Sequence, residues 1–152
     1  MDISDDRSIY RHRSEYRVRY DDLDTYRHVN NKSFLSYVED ARVHYLVEAM
    51  GLWHHDDEES GVMVVHNSID YEKQIGPFER VTVYTRCARI GTKSFTLEHL
   101  VCATAPDATD ERICARSRTV FSSVDLVANT SKRNDPARMD RLRAWEPVAP
   151  QE

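Results

Sequence analysis

Long apolar runs are missing from this chain of 152 residues, and nothing in it approaches the ~18 consecutive apolar residues of a membrane helix. The opening MDISDDRSIYRHR has no apolar segment and does not read as a signal peptide, so the expected location is the cytoplasm. Cysteine is scarce: Cys87, Cys102 and Cys114 lie far apart without a CxxC pair, which argues against a disulfide framework or a zinc site and for buried thiols. A basic surplus is also absent. The formal charge of -5 gives no footprint for exchanging counterions on nucleic acid. There are no internal repeats and no low-complexity tract, and the length suits one domain.

What the chain does contain is a junction. An extended segment over 15–20 leads into an acidic turn, Asp21, Asp22 and Asp24, without Gly or Pro. Asn30 and Asn31 then stand ready to cap a helix over 32–50, since an Asn side-chain oxygen can accept from the unpaired first-turn amides. Phe34, Tyr37, Val38, Ala41, Tyr45 and Ala49 recur at helical spacing, and so much of the girth is apolar that burial on several sides is expected. Gly51 suits the left-handed conformation that ends a helix. The junction places carboxylates beside a helix N-terminus. Glu39 and Arg42 on adjacent turns suit an ion pair.

Beyond the helix, WHHDDEES over 53–60 reads as a solvated connection, because adjacent His and acid residues without helical or hairpin spacing rarely converge on a metal. From Gly61 the period falls to two, predicting strands over 61–71, 79–90, 94–103 and 112–126 joined by hairpins. Asn67 falls on the core side of the first, as a substrate contact or a hydrogen-bonded buried amide. A short helix over 136–145 carries Met139, Leu142 and Trp145 as a docking stripe. The whole is α+β, an antiparallel sheet of about five strands with one long helix. We expect a mobile tail over 1–11, a folded domain over 12–128 and an extension over 129–152.

In order and spacing, HVNN, YVEDAR, IDYEKQI and ARIGTKSF resemble the hotdog-fold acyl-CoA thioesterases of the 4-hydroxybenzoyl-CoA thioesterase-like family, over residues 15–126. The resemblance implies a sheet wrapped around the helix, a homodimer or homotetramer, active sites at subunit interfaces, an acyl-CoA substrate and neither metal nor organic cofactor. The family turn reads D-x-D-x-x-G-H-V-N-N, with its second Asp catalytic. By that match Asp24 is the general base or nucleophile, and the backbone amide at Asn31 donates to the oxyanion. Arg27 stands where the family usually has Gly.

His28 is read as structural or substrate-lining. Arg89, Lys93 and Ser94 flank the hairpin that lies near the nucleotide in related enzymes, their other reading being a solvated hairpin end. Two rivals share this junction: a thioesterase acting on acyl carrier protein, and a non-catalytic module that binds acyl thioesters.

Overall fold

The computed structural model describes residues 1–52 and 59–152, so most of the charged connection over 53–60 lies outside the described residues. The elements run β1 (His12–Arg17), α1 (Asn31–Met50), β2 (Ser60–Tyr71), β3 (Arg80–Ile90), β4 (Ser94–Thr104), β5 (Glu111–Asp125), β6 (Thr130–Ser131) and α2 (Pro136–Trp145). One antiparallel sheet has the order β1-β3-β4-β5-β2, and short β6 pairs with the end of β5. Register shifts at Val64/His66 in β2 and at Cys87/Arg89 in β3 mark bulges, which bend strands and help curl the sheet around α1. This is the hotdog fold.

Helix α1 starts where Asn30 Oδ1 accepts from the Ser33 amide at 3.0 Å and stops at Gly51, whose φ of +64° is reached without steric cost by a residue lacking a Cβ. A Cβ there would also run into the Arg141 guanidinium of α2. Ser33, Phe34, Tyr37, Val38, Ala41, Tyr45, Leu46, Ala49 and Met50 are buried, while Leu35, Glu39, Asp40, Val43 and His44 are exposed. The expected burial on several sides is therefore absent within one chain. Helix α1 presents one face to β1, β3 and β4, and the edge strand β2 extends beyond its cover.

Two core clusters sit between helix and sheet. Val29, Phe34, Tyr37 and Val38 meet Ile75, Val81, Val83 and Val101 at one end. At the other, Tyr45, Leu46 and Ala49 meet Leu97, Phe121 and the α2 residues Met139 and Leu142, with Trp145 packed on the margin. Helix α2 thus closes the C-terminal end of α1. The carboxylate of Glu146, just past α2, accepts from the Tyr45 hydroxyl and from the Cys87 amide. The three cysteines are free and buried, and burial pushes Cys87 and Cys102 up to about 12 and Cys114 to about 11, as suits inert core thiols.

Three further expectations need correction. The first strand is His12–Arg17 rather than 15–20. Residues 1–11 are packed rather than a mobile tail: Ile3 and Tyr10 are buried against Leu100 and Cys102 on the outer face of the sheet, and Asp5 pairs with Arg116. Finally, β2 and β3 do not form a hairpin. Strand β2 pairs with β5, and the connection to β3 crosses the N-terminal end of α1, where Ile75 is buried and its carbonyl accepts from the Val29 amide at 2.8 Å. Gly76-Pro77 signals a turn, but a turn signal does not say which strands it separates.

Candidate active site

Between β1 and α1 the chain makes a tight polar knot. A single-residue bridge joins Leu23 to Val29, the Asp24 amide donates to the His28 carbonyl at 2.8 Å, and the Arg27 amide closes a turn on the Asp24 carbonyl at 3.1 Å. Arg27 has φ +59°. It therefore keeps the left-handed backbone that glycine would adopt easily, at a steric cost of about 1 kcal/mol for a residue with a Cβ.

The neighbouring aspartates have different surroundings. Asp22 is buried, accepts from the Tyr37 hydroxyl at 2.7 Å and from the Arg19 amide at 2.8 Å, and its carbonyl receives the Asn30 amide at 2.8 Å. Burial alone would raise its pKa, but the Tyr37 and Arg19 hydrogen bonds and the Arg19 charge outweigh that and hold it below the ordinary carboxylate value. Asp22 is thus committed to tying the turn to α1. Asp24 is exposed, and only its Oδ1 is engaged, by the amides of Tyr26 at 2.8 Å and His28 at 3.1 Å. Its Oδ2 has no partner among the described residues.

Asp24, His28 and Asn31 line one open pocket of about 500 Å³, together with Tyr26, Val29, Phe34, Tyr71, Glu72, Lys73 and Gln74. Asn31 is the first residue of α1. Its amide belongs to the set a helix cannot satisfy internally, and no acceptor holds it among the described residues. The positive end of the helix dipole points the same way. Opposite, Tyr71 meets the Phe34 ring edge to face with centroids 5.3 Å apart, which builds the apolar wall. The run Tyr71, Glu72, Lys73 and Gln74 is a lining that residue-by-residue reading missed. Its only signal was its place within IDYEKQI, since exposed polar residues after a strand otherwise read as loop.

The other candidates lie elsewhere. Asn67 is on the helix side of β2, as expected, but it is exposed rather than core-facing, because α1 does not reach this edge. Arg89, Lys93 and Ser94 sit at the β3–β4 hairpin, beyond the far end of β3 from the Asp24 knot. Arg89 lines a separate surface pocket with Thr92, Lys132 and Arg133, Lys93 contacts Ser131 at 3.4 Å, and the Ser94 carbonyl accepts from Asn134 at 2.9 Å. Eleven residues of β3 span roughly 35 Å, so one chain cannot bring this hairpin to Asp24. Among the described residues no group of three or more His, Cys, Asp or Glu could hold a metal ion.

The model for the thioesterase-like superfamily matches residues 18–145, from the Asp24 knot through α2. The chain belongs to that superfamily. Among solved structures, the PA5185 protein of Pseudomonas aeruginosa is 27% identical with a TM-score of 0.78, covering 94% of this chain and 96% of that one. A thioesterase of Thermus thermophilus complexed with coenzyme A and Zn is 28% identical with a TM-score of 0.75, covering 90% and 95%. The uncharacterized protein YsmA of Bacillus subtilis (strain 168) is 26% identical over 83 residues, and the match spans 55% of each chain, about half the length of that curated relative.

Proposed function

We propose that this superfamily member hydrolyses acyl-CoA to a free carboxylic acid and coenzyme A. The observation that carries the reading is the shared pocket, in which a carboxylate with one unengaged oxygen and an unpaired helix N-terminal amide meet beside an apolar wall. A thioester needs little more. Its thiolate leaves without much protonation, so a positioned base or nucleophile and one oxyanion donor suffice. Asp24 Oδ2 activates water or attacks the carbonyl carbon; Oδ1 stays fixed by two backbone amides, which keeps the carboxylate aimed. As negative charge develops on the carbonyl oxygen, the Asn31 amide and the helix dipole stabilise it. His28 lines the site without acting as base.

In the working enzyme two copies pair along β2, and the partner's hairpin brings its basic residues to the nucleotide, a role for Arg89, Lys93 and Ser94 that one chain cannot fulfil. The exposed apolar residues Met63, Val64 and Val65 on this edge support that pairing.

The test is a thiol-release assay over a panel of acyl-CoAs, with Asp24→Asn beside the unaltered protein. Loss of turnover by a factor on the order of 10²–10⁴ is the expected result. Unchanged turnover in the variant would remove Asp24 from its role. Tight acyl-CoA binding with no hydrolysis of any thioester would make the protein a binding module, and turnover of acyl carrier protein alone would change the substrate class.

A further inference from the structure

A chain of buried polar side chains crosses the sheet beneath α1 and surfaces at Asn67. Thr85 Oγ1 lies 3.0 Å from His99 Nδ1, His99 Nε2 lies 3.3 Å from Thr119 Oγ1, and the Thr119 hydroxyl donates to Asn67 Oδ1 at 2.8 Å. Thr85, His99 and Thr119 are fully buried. Nothing in the proposed chemistry at Asp24 uses them, and a polar chain in the middle of an apolar sheet is costly unless every member is satisfied.

The chain has a direction. A threonine hydroxyl carries one hydrogen, and Thr119 gives it to Asn67, so toward His99 it must accept. Nε2 of His99 therefore carries the proton, Nδ1 is bare, and Nδ1 accepts from Thr85. Burial keeps the imidazole neutral, as this pattern requires, pushing its pKa down to about 3 with the charges of Arg42 and His12 acting in the same sense. Because the Asn67 carbonyl is occupied, its NH2 is what faces outward, with no acceptor among the described residues.

Asn67 shares a side of β2 with Tyr71 of the Asp24 pocket. Asn67, Ile69 and Tyr71 alternate along the same side of β2, and Tyr71 lines the pocket, roughly 13 Å from Asn67 at strand spacing. Arg42 flanks this side of the sheet from α1. Its guanidinium lies 5.8 Å from the Phe121 ring centroid and has Glu39 as its ion-pair partner at 3.1 Å. An acyl group running from Asp24 along this side of β2 would meet the apolar wall of Phe34 and Tyr71 first and then these donors.

We propose that Thr85, His99 and Thr119 are positioning residues that aim the Asn67 amide, as an N–H donor, at the acyl portion of the substrate, so that acyl groups bearing an oxygen acceptor are selected over plain hydrocarbon chains. This rests on the acyl-thioester reading of the Asp24 pocket. It is a statement about selectivity, separable from hydrolysis.

The first measurement is the 15N–1H NMR signature of the His99 ring, expected to show the Nε2–H form; an Nδ1–H ring would reverse the chain and overturn the proposal. The second is binding of thioether analogues of acyl-CoA, which cannot be hydrolysed, in pairs of equal length with and without a hydroxyl on the distal acyl chain. The full chain is expected to favour the hydroxylated member by roughly fivefold to tenfold, one hydrogen bond's worth. Thr119→Val should abolish the preference while retaining the plain analogue's affinity, Thr119→Ser should restore it, and thermal melting checks that each variant folds. Equal weakening of both analogues would mean a structural role only. Weakened self-association in Asn67→Ala with the preference intact would give the amide to a second copy of the chain. Both outcomes overturn the proposal. If the preference is present but no thioester is turned over, the catalytic reading fails alone.

Discussion

Arg27 is where one residue departs from its family's turn, and its φ of +59° explains how the turn survives. The hydrogen bonds from Arg27 to Asp24 and from Asp24 to His28 impose the conformation, and the arginine bears the strain. Arg27→Gly is therefore expected to raise stability by about 1 kcal/mol, less whatever glycine's freedom in the unfolded chain takes back, without moving Asp24. Denaturant unfolding checks the first part and turnover the second. Asp22 carries a pH prediction. Its folded pKa is depressed, so its stabilising contribution is present above the ordinary carboxylate value of about 4 and lost as pH falls through the folded one. Asp22→Asn should destabilise at neutral pH, and the gap to the unaltered chain should close in acid, read as unfolding free energy against pH. Turn chemistry left three aspartates open, and it was the resemblance to the family's turn that singled out Asp24 as the reactive candidate. That Asp22 is occupied was not legible, because its partner Tyr37 lies 15 residues away on α1.

At the scale of elements, α1, β2 to β5 and α2 were readable from periodicity and end signals, since these are local. Pairing was not. Helix α2 was visible as Pro136 followed by a stripe, but its position against Tyr45 and Ala49 depends on contacts from about ninety residues upstream. Leu142 is fully buried there, and Leu142→Ala is expected to cost about 2–5 kcal/mol in denaturant unfolding. Glu146 behaves oppositely to Asp22. Burial raises its pKa against the pull of its hydrogen bonds, so its charged form costs stability as pH rises from the ordinary glutamate value through the folded one. A glutamine keeps the acceptor for Tyr45 and Cys87 without the charge. Glu146→Gln should accordingly gain stability at neutral pH, with the advantage fading in acid, as a melting series from pH 3 to 7 would read.

For the whole molecule, the described chain has an uncovered edge. Val65 is 60% exposed at the β2 bulge, Val43 on α1 is 49% exposed, and no described helix is long and apolar enough to cross a membrane. We expect self-association through this edge. Val65→Lys should shift the protein toward monomer in sedimentation and lower acyl-CoA affinity, since the basic hairpin of one copy would no longer approach Asp24 of the other. The amino-acid sequence by itself determined most of the elements, the capped junction and the cluster of carboxylates beside it, because capping, periodicity and turn chemistry act over a few residues. Only the tertiary structure decided which strands pair, that residues 1–11 are packed, that Asn67 stands at an open edge, and that Thr119 links it to a buried histidine. Those depend on contacts between residues distant along the chain, which no local pattern encodes.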